Sequence, residues 1–170
     1  GIGGGAGTLN IDDTELSRLV DGFSSITIGR SGDGTGAVDV DSAAFSDNIT
    51  IVGGSIAVTE LYAAANEATL TARTGNITDG DGGTTSDIIA GSLTISAVTG
   101  IGATGANDSI EANVTTVTAT NSTSGGIFIN FIGTGGANVT ANHQGNGDIG
   151  FLSSSETVTL TDIDSNNGDI

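Results

Sequence analysis

The 170-residue chain contains no cysteine, proline, methionine, tryptophan or lysine, and only three arginines, one histidine and one tyrosine. Without cysteine there is neither a disulfide framework nor thiol chemistry. With 20 Asp and Glu against three Arg, the net charge is −17. That charge repels phosphate backbones and anionic lipid surfaces, which argues against a nucleic-acid partner. No apolar run approaches the roughly 18 residues that a membrane helix needs. Aromatic residues make up only 4% of the chain, too few large side chains for a thick globular core. What remains possible is a narrow core, one residue layer deep.

In their place stand 29 Gly and 42 Ser or Thr. A hydrophobic fraction of 36% with few charge runs is nevertheless too apolar for wholesale disorder. The apolar residues are also ordered along the chain. Gly147-Asp148-Ile149 returns as Gly168-Asp169-Ile170, an offset of 21. Isoleucines that open short apolar stretches after turn residues stand at 127, 110 and 88, and Ile28 and Ile49 are again 21 apart. A period near 20 made of short strands and Gly/Asn/Asp turns marks a solenoid, in which each coil buries its apolar face only against its neighbours. The expectation is one continuous all-β solenoid over positions 1–170, with about eight coils of about 21 residues each.

Period-two alternation bounded by turn residues predicts strands at 25–29, 38–41, 48–52, 55–58, 69–72, 92–98, 113–120, 126–132, 138–141, 148–152 and 157–161. The interior should hold Ile26, Ile28, Val38, Val40, Ile49, Ile51, Leu93, Ile95, Val114, Ile127, Ile129, Val158 and Leu160, while Asp39 and Asp41 should face solvent. Parallel pairing is expected, because a coil returns the chain to the same edge by its own winding. Asp12-Asp13-Thr14-Glu15 reads as a capping box before Leu16, Leu19 and Val20, predicting a helix of about two turns over 13–21. Residues 60–68 are good helix formers between clear strands, and an irregular or strand-like coil segment is favoured there. Neither end looks able to cap a solenoid. The start at Gly1, with no basic-then-apolar leader, suggests a processed product or an excerpt. Further coils of the same chain, or end-to-end stacking of copies, are therefore expected.

Residues 13–36 resemble a segment of large filamentous-haemagglutinin-like bacterial surface proteins, as do Leu70 to Asp79, Gly91 to Gly100 and the Gly145-Asn146-Gly147-Asp148-Ile149 phrase. The resemblance implies a right-handed parallel β-helix from the stalk of a secreted protein. It implies an extracellular or cell-surface location and a role in adhesion, surface coating or filaments, through contact with a host cell, a glycan or a matrix. The acidic, Thr-, Ser-, Gly- and Asn-rich composition agrees with such proteins.

Candidate sites are few, and each competes with a plainer reading. Asp-x-Asp pairs occur at Asp39/Asp41, Asp79/Asp81 and Asp162/Asp164; on a strand this sets two carboxylates about 7 Å apart on one face. That separation suits glycoside hydrolysis or a hard cation, but solvated acidic turns explain it equally. A carbohydrate-active β-helix is the alternative function. It would need Lys, Arg or His beside the acids, whereas Arg18, Arg30 and Arg73 are scattered and His143 sits in a turn-like segment, read here as a solvated loop. No catalytic residue and no cofactor is expected, calcium aside. The oxygen donors that could hold calcium are Asp79, Asp81, Asp162, Asp164 and Asp169, although the 162–170 loop departs from the EF-hand spacing. Asn-x-Ser/Thr sequences make Asn48, Asn76, Asn113, Asn121 and Asn138 candidate glycosylation acceptors, with Asn107 a sixth. Thr-x-Thr ladders at 69/71, 116/118/120 and 157/159/161 raise an ice- or glycan-binding module, but along the sequence the copies do not recur in every coil.

Overall fold

A computed structural model describes residues 1–154 and 156–170. Every strand pairing among the described residues is parallel, and strands adjacent in a sheet come from successive coils. The result is a β-solenoid of about six turns of about 22 residues. A seven-stranded sheet runs its length through Ile26–Gly29, Ile49–Gly53, Glu67–Ala72, Ser92–Ala97, Thr116–Asn121, Ala137–His143 and Val158–Ser165. A four-stranded sheet and a six-stranded sheet close the tube around it.

Alternation along each long strand sends every second side chain inwards, and register stacks these residues into columns. One reads Ile49, Ala68, Leu93, Val117 and Val139; the next reads Ile51, Leu70, Ile95, Ala119 and Ala141. All ten are buried. Ile, Leu and Val with occasional Ala make up both columns, so these layers fill without large aromatic residues. Phe131 is the largest fully buried side chain.

The coil count is lower than the sequence suggests, for two reasons. Register partners in the seven-stranded sheet run Ile26, Ile49, Ala68, Leu93, Val117, Val139 and Leu160, at unequal steps that mostly exceed the expected period. The chain before Ile26 also makes no complete coil. The repeat phrases themselves are partly out of phase: Ile49 pairs with Ile26 and not Ile28, and Ile110 with Ile129 and not Ile127, while Ile127 and Ile149 pair as expected. A slip of two positions keeps the same face inwards. Buried faces therefore survive the error, although the strand expected over 113–120 is two, Ile110–Asn113 and Thr116–Asn121, in different sheets with a corner between them.

Other expectations change at the ends. The capping box is present, with Glu15 N–H donating to Asp12 and Asp12 N–H to Glu15, but the α-helix covers only Asp13–Leu16. Leu16 is buried and Leu19 packs partly against the core, whereas Val20 is 68% exposed, so the apolar stripe that should extend the helix is only partly covered. Ile2 pairs with Val40, and Ile2 and Leu16 join the core cluster. Residues 1–16 thus cover the Val38–Asp41 and Ala43–Ala44 side of the first coil, contrary to the bare end expected, while Ile26–Gly29 remains the edge of the seven-stranded sheet. Asp39 and Asp41 are half-buried beneath this segment, where Ala6 N–H donates to Asp39 Oδ2 at 2.7 Å. At the far end Leu160 is 50% exposed and Val158 only half-buried, because Val158–Ser165 is the edge strand of its sheet among the described residues. Ile26, Ile28 and Val38 are likewise only partly buried at the first coil. Residues 60–68 are strand-like as expected, with Leu61–Tyr62 and Glu67–Ala72 flanking a turn at Ala64, whose φ is +41°. Among the described residues no helix is long and apolar enough to cross a membrane.

Candidate metal centre and threonine face

The two longest coils gain their extra length on the stretch that leads towards the six-stranded sheet: 80–87 follows Ile77–Asp79 and precedes Ile88–Ile89, and in the next coil 102–109 precedes Ile110–Asn113. Between these loops lies a group of acids. Asp79, Asp81 and Asp87 each place a carboxylate oxygen within 4.8 Å of the others. Glu111 adjoins them from the next coil, its backbone N–H donating to Asp87 Oδ2 at 2.9 Å. Asp87 and Glu111 are fully buried and Asp79 partly so, while Asp81 is open to solvent.

Each carboxylate facing inwards is half satisfied. Asp79 Oδ1 accepts from the N–H groups of Asp81 and Gly82 at 2.8 and 3.0 Å. Glu111 Oε1 accepts from Ser109 Oγ at 3.0 Å and Asn130 Nδ2 at 3.3 Å. The other oxygens, Asp79 Oδ2, Asp87 Oδ1 and Glu111 Oε2, are buried without a partner. Burial pushes the Asp87 carboxyl up to about 9, with the charges of Asp79 and Glu111 adding to it. Asp79 and Glu111 are also raised, again chiefly by burial and against the hydrogen bonds they accept. An unpaired buried carboxylate is expensive; it takes up a proton or a cation.

A second pattern, hidden in the sequence, lies on the outer face of the seven-stranded sheet. Thr27, Thr50, Thr69, Thr94, Thr118 and Thr140 stack in register, one per coil, and Asp162 ends the column. Beside it run Thr71, Ser96, Thr120, Asn142 and Asp164. Strand spacing sets neighbours about 4.8 Å apart along the axis and about 7 Å apart along each strand. Glu67 stands on the other side of the threonine column and accepts hydrogen bonds from Thr69 and Thr94.

No family model, no curated protein and no solved structure matches this chain. The site is therefore read from its own geometry. Of the five acids expected to bind calcium, the structure brings Asp79 and Asp81 together and adds Asp87 and Glu111. Asp162, Asp164 and Asp169 lie elsewhere, exposed in the last coil, and belong to no such group among the described residues. Asp87 and Glu111 were missed because both sit next to isoleucine in strand-like surroundings, a whole coil apart, and only stacking joins them.

His143 corrects the solvated-loop reading. It is 1% exposed, with Gly145 N–H donating to its Nδ1 and its Nε2 against the Gly125 carbonyl. It stacks in register with Asn121, also buried, whose amide donates to the Ser124 and Gly125 carbonyls and accepts from Gly100 N–H. Asn121 therefore has no free amide for a glycan in the folded chain. Asn48, Asn76, Asn113 and Asn138 are exposed.

Proposed function

We propose that this chain is a non-catalytic structural segment of a secreted surface or extracellular filament protein of the filamentous-haemagglutinin-like kind, serving as a stalk or adhesive rod. The observation that carries the reading is the uninterrupted parallel stack of about six coils, with one seven-stranded sheet running its length. The outermost strands of that sheet, Ile26–Gly29 and Val158–Ser165, each present an unpaired ladder edge, to which a further coil or a second copy would add. The arrangement of charged groups also favours a non-catalytic role over a carbohydrate-active one. Arg30 pairs with Asp33, Arg73 donates to the carbonyls of Ser31 and Gly32, and His143 is engaged inside the tube, so none of these serves the acids at 79, 87 and 111.

Hydrogen exchange on the isolated chain tests this reading. Amides of Val158–Ser165 should exchange far faster than those of Ser92–Ala97 in dilute solution and slow as concentration rises. A monomer with its last coil as protected as the middle, or glycan cleavage abolished by Asp-to-Asn substitution at 79 or 87, would overturn it.

The in-register threonine column favours a second reading, in which the flat face binds an ordered surface such as ice or a regular glycan. Inhibition of ice recrystallisation, lost on Thr94→Lys and Thr118→Lys, is the corresponding assay. Absence of any effect from the intact chain eliminates the ice form of this reading.

A further inference from the structure

We propose that Asp79, Asp81 and Asp87, with Glu111 behind them, form a calcium site that ties the 80–87 loop to the body of the solenoid. The three aspartates come within coordinating distance of one another, each offering an oxygen inside a 4.8 Å group. That proximity alone would describe many acidic surfaces. What distinguishes this group is the unfilled valence inside it: Asp87, wholly buried, has one oxygen on the Glu111 N–H and leaves Oδ1 with no partner. Asp79 shows the same division, with Oδ1 held by two backbone N–H groups and Oδ2 unpartnered. Glu111 repeats it, with Oε1 held by Ser109 and Asn130 and Oε2 unpartnered. The hydrogen bonds orient the carboxylates and leave one oxygen of each uncommitted, which is what a cation site requires of its surroundings.

The donor chemistry selects the ion. All available ligands are oxygens, most of them carboxylate, with no sulfur or imidazole in the group. Such a set suits calcium, which accepts six to eight oxygens in flexible geometry at about 2.3–2.6 Å, over zinc or copper. Magnesium demands a tighter octahedron and keeps its waters, so it should bind more weakly. Exposed Asp81 provides the entry side, where Thr59, Glu60, Thr85 and Ser86 line a groove open to solvent. Neighbouring coils supply the ligands: Asp79 and Asp87 flank one loop, and Glu111 belongs to the coil after it. A bound ion therefore crosslinks two coils at the point where the chain departs furthest from regular winding.

Isothermal titration of the chelator-stripped full chain with calcium, and separately with magnesium, tests the assignment. One site per chain is expected, with calcium at least ~10-fold tighter than magnesium and a melting temperature higher in calcium than in chelator. Asp81→Asn, at an exposed position whose loss should leave the fold intact, should weaken calcium ~10-fold or more. Asp162→Asn with Asp164→Asn should leave it unchanged. Asp87→Asn should abolish binding; if that variant fails to fold, Asp81→Asn alone decides. No binding heat with an unchanged melting temperature would overturn the proposal. So would binding indifferent to Asp81→Asn, or binding lost with the Asp162/Asp164 pair.

Discussion

Replacing Ile95 by alanine removes three carbons from the middle of a column in which Leu70 lies on one side and Ala119 on the other. Ile95 is fully buried, so the transfer loss at ~0.8 kcal/mol per carbon is about 2.4 kcal/mol. Collapse around the gap is limited, because the strand is hydrogen-bonded to a neighbour on each side and those strands cannot close up. A residual void of ~50 Å³ at ~24 cal/mol per Å³ adds about 1.2 kcal/mol, for a total of about 3.6 kcal/mol. The equivalent truncation at the open end, Leu160→Ala, should cost under ~1.5 kcal/mol, since that side chain is already 50% exposed and leaves no closed cavity. Urea unfolding followed by circular dichroism measures both, and the Ile95 variant should lower the midpoint by roughly 1 M or more. Concentration separates the two sites further. The cost of Leu160→Ala should grow as the protein is concentrated, if another copy covers that coil, whereas that of Ile95→Ala should stay constant. Equal costs at the two positions in dilute solution would refute the column description, because they would mean that the centre relaxes as freely as the end.

Asn121→Ala strips partners from Gly100 N–H and the Ser124 and Gly125 carbonyls inside the tube, and should cost about 2–4 kcal/mol in the same unfolding assay, more than its small volume change would suggest. In chelator, the melting temperature should fall as pH rises. The Asp87 carboxyl is held at about 9 in the folded chain against 3.8 unfolded, so between those values the folded state binds a proton that the unfolded state does not, and stability declines across that window. Asp87→Asn should flatten this dependence, and an unchanged slope in the variant would assign the effect to the general acidity of the chain.

The long strands were legible because they alternate over five or more positions, and period two leaves little ambiguity about which face turns inwards. Ile49, Ile51, Leu93, Ile95, Ile127 and Ile129 are buried for that reason. The short corner strands at Leu61–Tyr62, Ile77–Asp79 and Ile88–Ile89 are too brief for any pattern to show. The threonine column was invisible for a different reason: Thr27, Thr50, Thr69, Thr94, Thr118 and Thr140 fall at unequal intervals along the sequence, and only pairing aligns them. His143 looked like a loop residue because turn-formers follow it, and Asn121 fell just past a predicted strand as a candidate glycan acceptor, yet each stands at the inward phase of its strand's last position. Asp79 and Asp81 showed as a pair from local spacing. Their partners came from other stretches of the chain, through contacts that one-dimensional spacing does not record.

The variable coil length carries a consequence for engineering. What the solenoid holds constant is its cross-section, while chain length is absorbed outside the ladder, notably at 80–87 and 102–109, where the two longest coils stack on shorter ones with their strands still in register. Closing a longer loop is cheap once the ends are fixed, since each doubling costs only about 0.6 kcal/mol. These corners are therefore natural ports: a foreign peptide grafted between positions 103 and 108 would project sideways from the rod, while its point of attachment along the axis stays set by the strands on either side.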